Sequence, residues 1–237
     1  MKIYLKSAEQ IFAFLSLMFY SDAILILVLS NGAGQADVEV TYNTFLYRTC
    51  AFLVYVLTFF LLALRWKKQV HLLKRDTMIL LLLFLPLLSL LWSHSHLNTL
   101  KDSITLLGSS MFGIYLASRY TLKQQLKFLG LVFGVSIILC PIFAIALPQY
   151  GIIGNAWRGI YLHKNGLGAS MALSVIIFLS LATSTNNKQW RLWLCCASSL
   201  FLLIMAQSTS ALLNLFFSIA IFIGIRILKW PYYIMIP

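Results

Sequence analysis

Long apolar stretches alternate with short polar connections along almost the whole chain. Most of them run for roughly 16 to 23 residues, about the length that an α-helix needs to cross a bilayer. The last stretch is longer and is interrupted at residues 207–210, which suits two helices that fold back there. The pattern therefore predicts eight membrane spans, at about residues 8–30, 46–64, 77–92, 103–118, 128–147, 166–183 and, on either side of the interruption, within 192–227.

Composition agrees with this pattern. Hydrophobic residues make up 61% of the chain and charged residues only 10%, whereas soluble domains carry about 25% charged residues. The apolar runs are continuous, without the alternation of apolar and polar positions that a membrane β-barrel requires. We therefore predict an all-α, polytopic transmembrane helix bundle in which residues 1–237 form a single integral-membrane domain.

The basic residues indicate the orientation of these spans. With the N-terminus in the cytoplasm, fourteen lysines and arginines fall on the inner side and four on the outer side, as the positive-inside rule expects. Both termini are then cytoplasmic, and the loop that begins at Pro148 faces the periplasm or the exterior, where ATP and nucleotide-sugars are absent. The four outer residues are Arg48, Lys101, Arg158 and Lys164.

This sidedness explains the net charge of +12 without nucleic acid as a partner. The sequence contains no phosphate-binding loop, dinucleotide fingerprint or zinc-binding helix. Its four cysteines lie in apolar segments and lack metal-ligand or redox spacing, so neither a metal nor another cofactor is expected. The first apolar segment continues beyond the length of a signal peptide and is interpreted as a retained helix.

The outward loop between the fifth and sixth spans carries the most chemistry. Arg158, His163, Lys164 and Asn165 crowd together there. A guanidinium grips two phosphate oxygens at once, and a helix N-terminus adds free N–H groups. We interpret Asn165 as the N-cap of the sixth helix, with Gly166 and Gly168 next in sequence allowing a ligand close to the backbone. His163 is placed to take a proton from an attacking sugar hydroxyl.

Anchoring explains the same residues about equally well. Trp157 and Tyr161 would form part of an aromatic belt at the membrane surface. Arg158 and Lys164 would extend along apolar surface to reach lipid headgroups. The residues alone leave both interpretations open.

A second outer loop contains Trp92, His94, His96 and Lys101. On an extended strand the two histidines would share one face, but only Asp102 lies near as a third ligand, so a solvated loop with an interfacial tryptophan is favoured over a metal site. Lys101 begins the fourth helix on the outer side and would add positive charge to an outward anion site.

Two further polar positions lie within or between apolar segments. Asp22 falls inside the first predicted span, where a carboxylate requires a partner or a function. A structural pair with Arg48 is favoured, and proton coupling is the alternative. Ser208 and Ser210 lie in the turn between the last two spans, where they bond free backbone groups or contact a glycan hydroxyl.

These residues, taken as a set, resemble a known family. Residues 157–168 read WRGIYLHKNGLG, which is similar to the W-R-G-…-H-K-N-x-L-G segment of the O-antigen ligase-like family. That family comprises O-antigen ligases, Wzy-type polymerases and exopolysaccharide polymerases. Residues 91–101 (LWSHSHLNTLK) resemble its W-S-x-x-P-x-x-(T/S)-L-(R/K) loop with His96 near the usual proline. Residues 207–213 (QSTSALL) resemble its S-R-(T/S)-A-L-L stretch without the arginine.

The resemblance implies a multi-pass enzyme of the bacterial inner membrane that works at the periplasmic face. It would transfer glycan from an undecaprenyl-diphosphate carrier to an acceptor glycan or a lipid A core, without a cofactor. Arg158 and Lys164 would bind the diphosphate, with Asn165, Lys101 and Trp157 contributing to the site, and His163 would orient or deprotonate the acceptor hydroxyl.

Members of the family are typically longer than this chain, so it is expected to represent the N-terminal part of the family's architecture. Two alternatives stay open at this point. One is a transporter of small anions such as bicarbonate, and the other is an inactive truncated remnant.

Overall fold

A computed structural model describes residues 2–23, 44–66, 77–184 and 190–228. The chain is mostly helical in these ranges, because its apolar runs satisfy their backbone polar groups internally only as helices. Two compact units are present, one formed by Met1–Asn43 with Leu126–Pro237 and the other by Thr44–Gln125. We call them the site unit and the second unit.

The helices follow the apolar segments closely. Within the described ranges they are α1 (Lys2–Tyr20), α2 (Thr44–Ala63), α3 (Thr77–Leu88), α4 (His96–Arg119), α5 (Leu122–Ala146), α6 (Pro148–Gly151), α7 (Lys164–Ser184), α8 (Trp190–Met205) and α9 (Thr209–Leu228). A 3₁₀ turn, Ser89–Leu91, follows α3. The predicted helical fold is confirmed, and the break predicted at residues 207–210 separates α8 from α9.

Three helices in the described part of the chain are long and apolar enough to cross a membrane, namely Phe45–Ala63 in α2, Leu122–Ala146, which is α5, and Lys164–Thr183 in α7. Shorter apolar helices are found at Trp190–Met205 and Thr209–Ile221. Membrane association is thereby supported. The total of eight crossings and the cytoplasmic placement of both termini stay predictions.

The first predicted span differs from the structure. Helix α1 ends at Tyr20 and not near residue 30, and Asp22 adopts a left-handed backbone with φ 57°. The Ser21 hydroxyl turns back to the Met18 carbonyl at 3.0 Å. A left-handed residue directly after a helix ends it, and aspartate tolerates that conformation better than most side chains. The predicted continuation over residues 24–30 lies outside the described residues.

The core of the site unit lies between α5, α7, α8 and α9. Helix α7 packs along α8 over most of its length and also against α9. A buried hydrogen bond joins the Ser174 and Ser199 hydroxyls at 2.7 Å across the α7–α8 contact. The fully enclosed apolar side chains of this core include Val132, Cys140, Ile160, Leu167, Met171 and Leu203.

The second unit contains α2, α3 and α4. A Cβ atom at Gly108 on α4 would lie 2.5 Å from the Tyr55 ring on α2, so the two helices pack closely there. The Ser103 hydroxyl donates to the Pro86 carbonyl at 2.8 Å and ties α4 to α3. The Pro86 carbonyl also accepts from the Ser89 hydroxyl at 2.6 Å, so the end of α3 is held by side-chain bonds as well.

Candidate functional site

The loop between α5 and α7 is compact and partly regular. After the short helix α6, strands β1 (Ile152–Ile153) and β2 (Ala156–Trp157) form an antiparallel hairpin. Gly154 supplies the positive φ, 59°, that a two-residue hairpin turn requires at its first position. The all-α prediction missed this hairpin, because four strand residues inside an apolar context carry no periodic signal.

Two glycines let the loop approach the end of α5. A Cβ atom at Gly151 would lie 2.5 Å from the Ala144 backbone. Gly159, with φ 58°, would place one 2.6 Å from the Cys140 sulfur. Real Cβ atoms do not approach so closely, so only glycine fits at either position. Arg158, which lies between these two glycines in the sequence, is therefore held close to the last turns of α5.

Arg158 is a buried cation. Its side chain is only 3% exposed, and its Nε donates to the Tyr150 carbonyl at 2.5 Å. Its backbone N–H donates to the Gly151 carbonyl at 2.8 Å. No described carboxylate pairs with the guanidinium, and its two terminal nitrogens make no hydrogen bond to a described residue.

Burial lowers the pKa of the Arg158 guanidinium from its usual value, because the charged form loses hydration. A guanidinium still stays protonated in proteins. An unpaired buried charge is costly, and an anionic ligand would offset that cost. This geometry contradicts the anchoring interpretation of Arg158, in which the side chain extends to the lipid surface.

Tyr161 is also inside the site unit and not part of an aromatic belt. It is 1% exposed, and its hydroxyl donates to the Ser136 hydroxyl on α5 at 3.1 Å. Burial raises its pKa to about 12. The belt interpretation of Tyr161 is therefore wrong, because its polar end finds a partner on a neighbouring helix and does not need water.

Trp157 is half-buried. Its ring lies edge-on to the Phe201 ring of α8, with 6.1 Å between centroids. The loop is thus fastened to α8 at the residue directly before Arg158. The role of Trp157 in binding a substrate stays a prediction.

His163, Lys164 and Asn165 are exposed at the start of α7. The helix begins at Lys164, and the His163 carbonyl accepts from the N–H groups of Gly166 and Leu167 at 3.0 and 3.2 Å. His163 is therefore the N-cap, and the prediction that Asn165 caps the helix is wrong. The two N–H groups of the first turn that lack an intrahelical acceptor belong to Lys164 and Asn165.

Gly168 serves helix packing and not ligand access. A Cβ atom there would lie 2.7 Å from Ser208 Cβ and 3.0 Å from Ala211 Cβ. The start of α9 occupies the space in which a ligand was predicted to approach the backbone, so that prediction is wrong at Gly168. A Cβ atom at Gly166 would lie 3.7 Å from Tyr161 Cβ, which is an ordinary van der Waals distance. Packing against the described residues therefore does not require glycine at this position.

The turn between α8 and α9 makes two polar contacts to the loop. The Ser208 hydroxyl donates to Asn165 Oδ1 at 3.1 Å, and Gln207 Nε2 donates to the Asn155 carbonyl at 3.3 Å. Ser208 Oγ also lies 3.3 Å from Ser210 Oγ. The segments 157–168 and 207–213, which the resemblance singled out separately, therefore meet in the structure. The sequence did not predict the contact of Gln207 with the hairpin. Gln207 has a positive φ of 49°, and a glutamine gives no sign of such a conformation in the sequence.

Lys101 lies exposed on α4 in the second unit. In the loop before α4, His96 is the first helical residue and its Nδ1 lies 3.0 Å from the Leu90 carbonyl. The extended strand that would align His94 and His96 is absent from this described loop, because the helix starts at His96. No group of three His, Cys, Asp or Glu side chains suited to a metal is found in the part of the chain that the structure describes.

Asp22 belongs to the site unit and Arg48 to the second unit. Asp22 is exposed at the end of α1 and does not lie within a helix. The continuous helix predicted through Asp22 is therefore not observed, and a place for its carboxylate at membrane depth stays a prediction. The pair with Arg48 stays a prediction.

Comparison of the chain with models of protein families, with curated proteins and with solved structures yields no match. The chemistry of the loop and of the start of α7 is therefore what indicates a function. Arg158 offers two terminal guanidinium nitrogens, α7 offers two N–H groups, and Lys164 adds a second cation. These groups all belong to residues 158–165, and each is of a kind that binds an anion with several oxygens; His163 lies in the same segment.

Proposed function

We propose that this chain is a membrane glycan transferase of the O-antigen ligase-like type. It moves glycan from an undecaprenyl-diphosphate carrier to an acceptor sugar, an acceptor glycan or a lipid A core, at the periplasmic face of the bacterial inner membrane. In this proposal the chain crosses the membrane eight times with both termini in the cytoplasm.

The observation that carries the proposal is the buried Arg158, with which no carboxylate of the described residues pairs. A guanidinium that is desolvated and positioned by its own backbone neighbours is pre-organised for a phosphate, with which it forms bidentate bonds. Its fixed Nε bond to Tyr150 leaves the terminal nitrogens for that purpose.

The flanking helices support a location at the membrane surface. Both α5 and α7 are candidate spans, so residues 147–163 connect two crossings at one face of the bilayer. Lipid phosphates lie at that depth. The charge distribution supports an outward orientation of this face, where a lipid-linked donor is available and ATP is absent.

Each exposed residue at the start of α7 has a role in the transfer. Lys164 neutralises the second phosphate, and the N–H groups of the first turn of α7 bond its oxygens. Asn165 Oδ1 is already engaged by Ser208, so its amide N–H₂ is the part that faces a ligand. His163 accepts the proton of the acceptor hydroxyl while that oxygen attacks the anomeric carbon and the carrier diphosphate leaves.

The test replaces Arg158 and His163 by alanine in a host that lacks the chromosomal gene. Each variant is scored by the glycan pattern of the cell envelope and by transfer from purified carrier-linked glycan in vesicles. Removal of a charge-stabilising donor typically costs about 10²–10³ in rate, and removal of a general base about 10²–10⁴. We expect loss of transfer in both variants at unchanged membrane level.

Lys127→Ala is the matched control, since Lys127 is an exposed cation of the same unit on the predicted inner side. It should transfer glycan as the wild type does. Normal glycan in both Arg158→Ala and His163→Ala would refute the proposal. Loss of bicarbonate uptake with unchanged glycan would identify the anion site as part of a transporter instead.

A further inference from the structure

The turn between α8 and α9 departs from the usual chemistry of helix ends at two consecutive residues. Gln207 follows the end of α8 with a left-handed backbone, φ 49°. A helix that ends in this conformation usually has glycine there, because a Cβ atom is strained. Ser208 directly precedes α9, where a serine hydroxyl ordinarily accepts from an N–H group of the first turn. Among the described residues, its hydroxyl instead donates to Asn165 Oδ1 on α7 at 3.1 Å.

The two unusual side chains hold the two segments of the proposed anion site. Gln207 Nε2 donates to the Asn155 carbonyl at 3.3 Å and so fastens the hairpin, whose last residue precedes Arg158. Ser208 fastens the first turn of α7. Glycine at position 207 would relieve the backbone but could not bond the hairpin. Departures from local rules cluster at functional sites, where other contacts offset their cost. The chemistry of this turn therefore serves the loop and α7 and not the ends of α8 and α9.

The bond from Ser208 also sets the polarity of the Asn165 side chain. An asparagine amide has an acceptor oxygen at one end and two N–H donors at the other. Ser208 is only 2% exposed and its hydroxyl occupies Oδ1, so the donor end of the exposed Asn165 side chain is left for a ligand. The opposite orientation would present an oxygen, which repels an anion. Ser210 Oγ lies 3.3 Å from Ser208 Oγ, so Ser208 can accept from Ser210 while it donates to Asn165.

We propose that Gln207 and Ser208 are positioning residues of the anion site, and that Ser208 gives the site its selectivity for a diphosphate over a monophosphate by orienting the Asn165 amide. The inference rests on the proposed function, in which Arg158 binds one phosphate and the start of α7 binds the second. Arg158 serves either ligand, whereas the donors at the start of α7 act on the second phosphate alone. Loss of the Ser208 bond therefore weakens the binding of the diphosphate selectively.

The test compares farnesyl diphosphate with farnesyl monophosphate as probes of the full chain in neutral phosphatidylcholine nanodiscs. The two probes share one hydrocarbon chain, so the ratio of their dissociation constants reports the second phosphate. The wild type should bind the diphosphate more tightly. Ser208→Ala should weaken diphosphate binding by about 3- to 10-fold and leave monophosphate binding unchanged. Asn165→Asp, which keeps the shape of the side chain but adds a negative charge, should weaken diphosphate binding by about tenfold or more. In an Asn165→Ala background, Ser208→Ala should have no further effect.

Ser174→Ala is the matched control. Ser174 is a fully buried serine of the same unit, and its hydroxyl bonds Ser199 on α8 at 2.7 Å. This variant loses a buried hydroxyl contact between helices but should keep the selectivity of the wild type.

Gln207→Gly separates positioning from stability. It removes the bond to Asn155 and relieves the left-handed backbone, so the unfolding midpoint should not fall. Binding of the diphosphate should nevertheless weaken by about threefold or more. A residue with a structural role alone would change stability and binding in the same direction.

A wild-type chain that does not favour the diphosphate, or unchanged selectivity in Ser208→Ala and Asn165→Asp, would overturn the inference. Equal weakening of both probes in Ser208→Ala would also overturn it, since the turn would then act on the whole fold. If Ser208→Ala does not fold, Asn165→Asp and Gln207→Gly decide the question. Glycan transfer that needs Arg158 but is unaffected by Ser208→Ala removes the positioning role alone. Selectivity that depends on Ser208 in a chain without glycan transfer removes the transferase proposal alone.

Discussion

Gly168→Ala tests whether α9 is seated on α7 as the structure has it. The new Cβ atom would lie 2.7 Å from Ser208 Cβ, 3.0 Å from Ala211 Cβ and 3.1 Å from Ser208 Oγ. Carbon atoms in contact prefer about 3.5–4.0 Å, so α9 must move by about 0.8 Å or more. Ser208 cannot turn away without breaking its bond to Asn165 Oδ1. Overpacking of this kind costs about 1–3 kcal/mol.

A matched glycine separates packing from helix propensity. A Cβ atom at Gly134 on α5 would meet nothing within 4 Å. Gly134→Ala should therefore show only the gain of about 1 kcal/mol that alanine brings to a helix interior. Gly168→Ala has the same helix-propensity gain, but overpacking against α9 also lowers its free energy of unfolding. The difference between the two variants is then about 1–3 kcal/mol, or about 2–12 °C in the unfolding midpoint for a chain of this size.

The assay is thermal unfolding in detergent, followed with a thiol-reactive fluorophore. Cys140 is fully buried between α5 and the loop, so its labelling reports loss of the site unit's packing. The other cysteines are replaced beforehand in all variants. Adding Ser208→Gly to Gly168→Ala removes two of the three close contacts and should recover at least half of the difference. A Gly168→Ala protein that is as stable as Gly134→Ala would refute the described α7–α9 contact.

Two further predictions concern stability. Asp22 has a left-handed φ of 57°, which glycine adopts freely and a β-branched side chain does not. Asp22→Gly should therefore leave the free energy of unfolding unchanged, whereas Asp22→Val should lower it by about 1–2 kcal/mol in the same assay. Equal unfolding midpoints for the two variants would contradict the left-handed turn. Burial raises the pKa of Tyr161 to about 12, whereas an unfolded tyrosine ionises near pH 10. Its neutral phenol therefore adds stability below pH 10 that is lost as the pH rises through 12. Tyr161→Phe should lower the midpoint at pH 8, because the bond to Ser136 is lost, and should flatten the decline between pH 10 and 12. Parallel pH curves for the two proteins would argue against a buried Tyr161.

The helices and the polar connections between them could be predicted from the sequence. Apolar runs of membrane length specify helices by themselves, because hydrocarbon leaves the backbone no other partner. The break at Gln207–Ser210 was also predictable, since a polar run in the middle of a double-length apolar stretch marks a turn. These are local properties, and each is contained in one stretch of sequence.

The details of the site were not predictable because they depend on contacts between distant residues. Asn165 was expected to cap α7, but its side chain is engaged by Ser208, 43 residues later. Gly168 was interpreted as access for a ligand because its neighbour Ala211 is not visible in the local sequence. Tyr161 resembled an interfacial aromatic residue until Ser136 of α5 was found beside its hydroxyl.

The burial of Arg158 also could not be predicted from the local sequence. The sequence identified it as a cation at an outward loop, and both anchoring and anion binding were consistent with that. Its burial depends on Gly151 and Gly159, which bring the loop against α5. Only this close approach distinguishes a buried cation from a surface one.

The bonds from Gln207 to Asn155 and from Ser208 to Asn165 also constrain the order of biosynthesis. Asn165 precedes Ser208 by 43 residues and the hairpin residue Asn155 precedes Gln207 by 52, and chains generally fold from the N-terminus during synthesis. Until that turn has been made, the surface at Gly168 lacks its contact with α9 and the Asn165 side chain lacks its bond to Ser208. The cationic loop is therefore synthesised before the residues that hold it. Its native contacts are complete only when the last helical hairpin has folded against it.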